Sequence, residues 1–154
     1  MEQTLVILKP DALQRGFVGE IIQRFERKGL KIVAMKMQLL KTDVLSEHYS
    51  HHKEKPFFKE LVKFMGSAPA VLMVLEGKEA VDVARKMAGE TSGRKASPGT
   101  IRGDCSMSMQ TNLIHVSDSV KTASEEIRRF FKKEEIHSYE KSGSDWLYSS
   151  DERK

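Results

Sequence analysis

Cysteine is nearly missing from this chain. Cys105 is the only one in 154 residues, so no internal disulfide can form. That points to a reducing compartment, the cytoplasm, and to a fold held by its core. Neither sign of charge dominates. Lys and Arg number 26 against 22 Asp and Glu, a net charge of +4. Such an excess suits phosphorylated small molecules or weak nucleic-acid binding and decides neither. The apolar run near the start, Thr4 to Leu8, is too short for a signal peptide or a membrane span, so no membrane partner is expected. The phosphate-binding pattern Gly-x-x-x-x-Gly-Lys-Ser/Thr occurs nowhere. His48 and His52 have helical zinc-ligand spacing, but neither a cysteine nor a third ligand lies nearby, and a polar helix end is the expected reading. No repeat or low-complexity segment appears.

What is present is a globular composition, 39% hydrophobic and 31% charged. One domain over residues 1–154 is expected. Thr4–Leu8 reads as a buried strand stopped by a turn at Lys9-Pro10-Asp11. Gly16–Lys28 reads as a helix with an apolar stripe of Val18, Ile21, Ile22 and Phe25, closed by Gly29. Leu30–Leu40 reads as a strand and Thr42–His52 as a helix. Pro56 opens another helix at its favoured first position. Phe57 and Phe58 cannot both face one core, so one is free to stack on a planar ligand. Ala70–Leu75 is a strand and Lys78–Ala88 a helix. Gly89–Asp104 is a long irregular stretch rich in glycine, hydroxyls and guanidinium groups, which suggests an anion site.

The stretch Asn112-Leu113-Ile114-His115-Val116-Ser117-Asp118-Ser119 organises the rest. His115 ends an extended segment, and Val120–Phe131 follows with helical spacing and Asp118 or Ser119 as N-cap. The order β-α-β-α-α-β-α-loop-β-α predicts an α+β fold. It is a ferredoxin-like βαββαβ antiparallel sheet with helices on its faces, extra helices and a long active-site loop.

Several pieces then combine. Thr4 to Asp11, Gln14-Arg15-Gly16, Val18 to Ile22, His48-Tyr49, Lys55-Pro56-Phe57-Phe58, Pro98 to Asp104, and Asn112 to His115 with Ser117-Asp118-Ser119 closely resemble the nucleoside diphosphate kinases. The resemblance runs from about residue 2 to about residue 148. It implies a γ-phosphate passed from a nucleoside triphosphate, typically ATP, to a nucleoside diphosphate through a phosphohistidine on His115. Glu126 matches the carboxylate that orients the imidazole, and Ser117 the hydroxyl beside it. Lys9, Arg85, Thr91 and Arg102 match the phosphate ligands. Asn112 matches the ribose ligand, Tyr49 the phenol near Lys9, and Phe57 the ring against which the base stacks. The resemblance implies Mg²⁺ held mainly by the nucleotide phosphates, with no protein cage.

It also implies a hexamer. Asp145-Trp146-Leu147-Tyr148 resembles the C-terminal segment of hexameric members, and residues 140–154 are expected to pack on the body or on a neighbouring subunit. The loop Thr91 to Gly99 would lie at the threefold contact. Two departures stand out. Val116 replaces the usual glycine or alanine, which predicts backbone strain or crowding at the nucleophile. Ser92-Gly93 replaces the usual Asn-Pro, which predicts a looser loop. The competing classes are a nucleic-acid-binding module without catalysis and a catalytically dead scaffold. The aromatic-rich RNA-binding signature is absent, so nucleic acid is not expected as the main partner. Intact Lys9, Arg102, Asn112, His115 and Glu126 argue against a scaffold.

Overall fold

The computed structural model describes residues 1–152; the last two residues of the expected extension, Arg153 and Lys154, lie outside the described residues. Strand β1 (Glu2–Leu8) is central. It pairs antiparallel with β3 (Ala70–Gly77) on one side and β4 (Ile114–Val116) on the other, while β2 (Lys31–Gln38) pairs antiparallel with β3. The sheet order is β2-β3-β1-β4. This is the split βαβ arrangement expected for a ferredoxin-like sheet.

Burial on both faces explains the near-continuous apolar runs of β1 and β3. Leu5 and Ile7 face a layer of α3 (Thr42–His48), α4 (Phe58–Met65) and α7 (Val120–Phe130). Val6 and Leu8 face α1 (Pro10–Gln14), α2 (Val18–Lys28), α5 (Ala80–Ala88) and α6 (Ile101–Cys105). Alternation along β4 therefore sends His115, opposite Ile7, to the α3/α7 side, while Ile114 and Val116 turn to the other.

Local chemistry fixes the ends. Gly29 closes α2 at φ 100°, a conformation that favours glycine. The Ser119 hydroxyl caps α7 by accepting from the Thr122 amide at 3.1 Å. Thr100 caps α6 by accepting from Gly103 N–H at 3.0 Å. Five sequence expectations need correction. The Lys9-Pro10-Asp11 turn is the start of helix α1, with Pro10 as its first residue. The Gly16–Lys28 helix begins at Val18, and the irregular stretch ends in α6. The helix from Thr42 stops at His48 and tightens into a 3₁₀ turn over Ser50–His52. Pro56 lies ahead of α4, which begins at Phe58.

Near the C-terminus, Tyr148 Oη accepts from the Lys78 amide at 3.2 Å and Leu147 lies against Gly29. Trp146 is 93% exposed, so the body of its own chain does not cover it. No helix among the described residues is long and apolar enough to cross a membrane.

Candidate active site

A cleft of about 840 Å³ opens where β1, β4 and the loop after α5 meet. Its wall includes Lys9, Tyr49, Phe57, Arg85, Thr91, Arg102, Asn112 and His115. The volume suits a small ligand. Ser117 and Glu126 lie beneath it, both buried. The residues singled out in the sequence thus converge.

Three positive side chains set the charge. Lys9 leaves the end of β1 and donates from Nζ to Asn112 Oδ1 at 2.6 Å and to the Gln110 carbonyl at 3.3 Å. Burial, and next the Arg102 charge, hold its ammonium down at about 8. Arg102 donates to the Gly89 and Ile114 carbonyls, each at 2.7 Å. Its Nε is buried without a partner, and burial with the Arg85 charge lowers it to about 10. Arg85 and Thr91 are exposed on the rim. Asn112 is locked by three contacts, donating from Nδ2 to the Thr91 carbonyl at 2.7 Å and the Met109 carbonyl at 2.9 Å besides accepting from Lys9.

His115 is the middle residue of β4 rather than its end. Its Nε2 lies 2.9 Å from Glu126 Oε1. Glu126 Oε2 accepts from the Ser117 hydroxyl at 2.6 Å, and the Ser117 oxygen accepts from the Leu5 amide at 3.2 Å. Burial pushes the Glu126 carboxyl up, but the His115 hydrogen bond and charge, with the Ser117 hydrogen bond, outweigh it and hold the group below its usual range. A carboxylate accepts only, so in the neutral imidazole Nε2 carries the proton and the Nδ1 lone pair is left free. Phe57 is 39% exposed on the cleft wall with His52 edge-on at 5.3 Å, whereas Phe58 packs on the core.

Two residues were missed. His48, expected at a polar helix end, is buried behind His115, ring centroids 4.7 Å apart. Burial, then the neighbouring His115, lowers it to about 3, so it is neutral. The spacing Leu45-His48-Tyr49 was the available signal, since all three share the buried face of α3 and its end. Asp11 accepts from the Leu113 amide at 3.0 Å and stabilises Leu113 at φ 71°. No local signal marks that role.

Both departures read differently in three dimensions. Among the described residues only Glu79 and Leu113 combine a side chain with positive φ, so Val116 is unstrained. It packs with the α2/α5 layer on the opposite face of the sheet from the imidazole, and it lines the same cleft. Gly93 is tight rather than loose. A Cβ there would collide with the Ser106 carbonyl, and its N–H donates to the Ser108 carbonyl at 3.0 Å. Proline would lose that bond and clash.

A positively lined cleft over a histidine held by a buried carboxylate belongs to a phosphotransferase. A family model for nucleoside diphosphate kinase matches residues 2–136. A nucleoside diphosphate kinase of Parabacteroides distasonis is 53% identical over 152 residues, 99% of each chain. One of Archaeoglobus fulgidus is 51% identical over 148 residues, 96% of this chain and 98% of that one. A halophilic nucleoside diphosphate kinase from Halobacterium salinarum, solved in complex with CDP, has a TM-score of 0.95 at 41% identity. That comparison covers 96% of this chain and 99% of the other. The chain belongs to the nucleoside diphosphate kinase family.

Proposed function

We propose that this protein moves the γ-phosphate of a nucleoside triphosphate, typically ATP, onto His115 and then onto a nucleoside diphosphate. The observation that carries this reading is the His115 Nε2–Glu126 contact of 2.9 Å beneath the cleft. It leaves Nδ1 as the nucleophile. In the first half-reaction the Nδ1–P bond forms and the bond from the γ-phosphorus to its bridging oxygen breaks. The nucleoside diphosphate leaves with that oxygen's electron pair. The second half-reaction reverses these steps on a new acceptor. Lys9 and Arg102, with Arg85 and Thr91, stabilise charge on the transferring oxygens. Asn112 holds the ribose and Tyr49 flanks Lys9. Phe57 stacks on the base, which tolerates many bases because stacking reads no hydrogen-bond pattern.

Mg²⁺, held mainly by the nucleotide phosphates, neutralises part of their charge. The donor set fits that arrangement, since Glu90 and Asp118 are the carboxylates on a wall that also carries Lys9, Arg85 and Arg102. A cytoplasmic enzyme is the corresponding location. The assembly we infer is a hexamer, supported by the Asp145-to-Tyr148 resemblance and by Trp146, 93% exposed on the single chain. Light scattering over a dilution series checks it; a tetramer, or a monomer at micromolar concentration, refutes it.

Incubation with γ-labelled ATP and Mg²⁺ checks the chemistry. The adduct is expected to be acid-labile and base-stable and to vanish in a folded His115→Ala variant. Label that persists there overturns the assignment.

A further inference from the structure

His48 presses its ring edge-on to His115, interplanar angle 77°. Its side chain is 1% exposed, yet neither ring nitrogen has a hydrogen-bond partner. Buried polar atoms are seldom left so. Its Nδ1 lies 3.7 Å from Glu126 Oε1, the oxygen that also faces His115 Nε2. One ligand atom each from His48, His115 and Glu126 fall within 4.8 Å of one another.

Two imidazoles and one carboxylate form a donor set of zinc chemistry, not of magnesium, which prefers an all-oxygen octahedron. Bonds of about 2.0–2.1 Å place tetrahedral zinc ligands about 3.3 Å apart. The longest separation here need close by about 1.5 Å at most to reach that geometry. A route in exists, because His115 is partly exposed on the cleft wall.

We propose that His48, His115 and Glu126 form a site for a divalent d-block cation of zinc's class, and that filling it stops phosphoryl transfer. The inhibitory half rests on His115 Nδ1 being the phosphoryl acceptor. Coordination uses the Nε2 lone pair. The proton that Nε2 carried moves to Nδ1, so no proton is lost and nothing is oxidised. The Nδ1 lone pair that attacks phosphorus is thereby converted to an N–H. Glu126 exchanges a hydrogen bond for a metal bond. Nucleotide still binds, because Lys9, Arg102 and Phe57 are untouched.

The experiment uses the metal-free full chain with Co²⁺ as an optical probe and Zn²⁺ as competitor. One equivalent of Co²⁺ is expected to give the intense visible bands of low-coordinate cobalt, and Zn²⁺ to erase them. His48→Phe keeps a ring of similar size without nitrogens. It is expected to weaken binding more than about 100-fold, beyond the loss typical of a supporting residue. A His51→Ala, His52→Ala double variant is expected to bind as the parent does. Ring-nitrogen NMR of the unaltered protein needs no variant; Zn²⁺ is expected to shift His48 and His115 and leave His51, His52 and His137. Labelling by ATP is expected to stop at the same Zn²⁺ concentration, with diphosphate affinity unchanged. No stoichiometric binding, or shifts confined to His51 and His52, overturns the site. Cobalt bound at His48 in a protein that ATP never labels would strike the phosphohistidine reading and leave the site standing. ATP labelling with no cobalt bound would do the reverse.

Discussion

Glu126→Gln is expected to slow labelling of His115 by roughly five-thousandfold and to leave nucleotide affinity nearly unchanged. In the neutral form that can act as a nucleophile, the imidazole offers its Nε2 proton to Glu126 Oε1 at 2.9 Å. As Nδ1 bonds to phosphorus the ring becomes cationic, with that N–H aimed at a buried carboxylate. At that distance and an effective dielectric near 20, the attraction is about 6 kcal/mol. It develops chiefly along the reaction, so it lowers the barrier rather than binding substrate. A neutral amide keeps one ordinary hydrogen bond, about 1 kcal/mol. A net loss of about 5 kcal/mol corresponds to a change of roughly five-thousandfold.

The amide also brings a donor. If its carbonyl keeps the Ser117 hydroxyl, its NH₂ faces His115 Nε2 and draws the proton to Nδ1. In a serine-protease triad the comparable change costs about 10⁴. Single-turnover labelling with γ-labelled ATP gives the rate, and ring-nitrogen NMR gives the tautomer. A folded variant that labels within about tenfold of the parent would refute the reasoning. So would a diphosphate affinity that falls by the same factor as the rate.

Ser117→Ala leaves Glu126 Oε2 and the Leu5 N–H without this partner in a buried setting, so calorimetry is expected to show a loss of about 2–4 kcal/mol. For a chain of this length that lowers Tm by roughly 5–15 °C. Lys9 is held at about 8 against 10.5 for a free lysine, so kcat/KM is expected to fall as pH rises through about 8 and its charge is lost. Between those values the unfolded chain binds more protons than the folded one, so stability without nucleotide rises with pH; urea unfolding shows the slope, and Lys9→Met removes it. Gly93→Ala puts a methyl group against the Ser106 carbonyl and is expected to lower the urea midpoint, by about 1–3 kcal/mol in stability.

Elements with enough length to show a period were legible. The α2 stripe and its Gly29 stop, and the α7 stripe with its Ser119 cap, appear in the sequence as they fold. The five-residue helices α1 and α6 were not, because one turn carries no measurable periodicity. Only Pro10 at a first position and Thr100 as a cap signalled them. His48 was obscured by the polar run that follows it, although its spacing from Leu45 places it on the buried face.

The least legible feature is what holds the segment before β4. Leu113 is fully buried and adopts φ 71°, a conformation that costs a branched side chain about 1–2 kcal/mol. Its N–H donates to Asp11 Oδ2 at 3.0 Å, and its carbonyl accepts from the Lys9 amide at 2.9 Å. Both polar groups of one residue are therefore tied to the chain just after β1, about a hundred positions away. The left-handed step lets Asn112 meet Lys9 while Ile114 enters the sheet and His115 turns toward Glu126. A local rule for leucine predicts none of this, because the energy that offsets the strain comes from Asp11. Lys9-Pro10-Asp11 reads as a strand stop in one dimension. In three it is the clamp that sets the strand carrying His115.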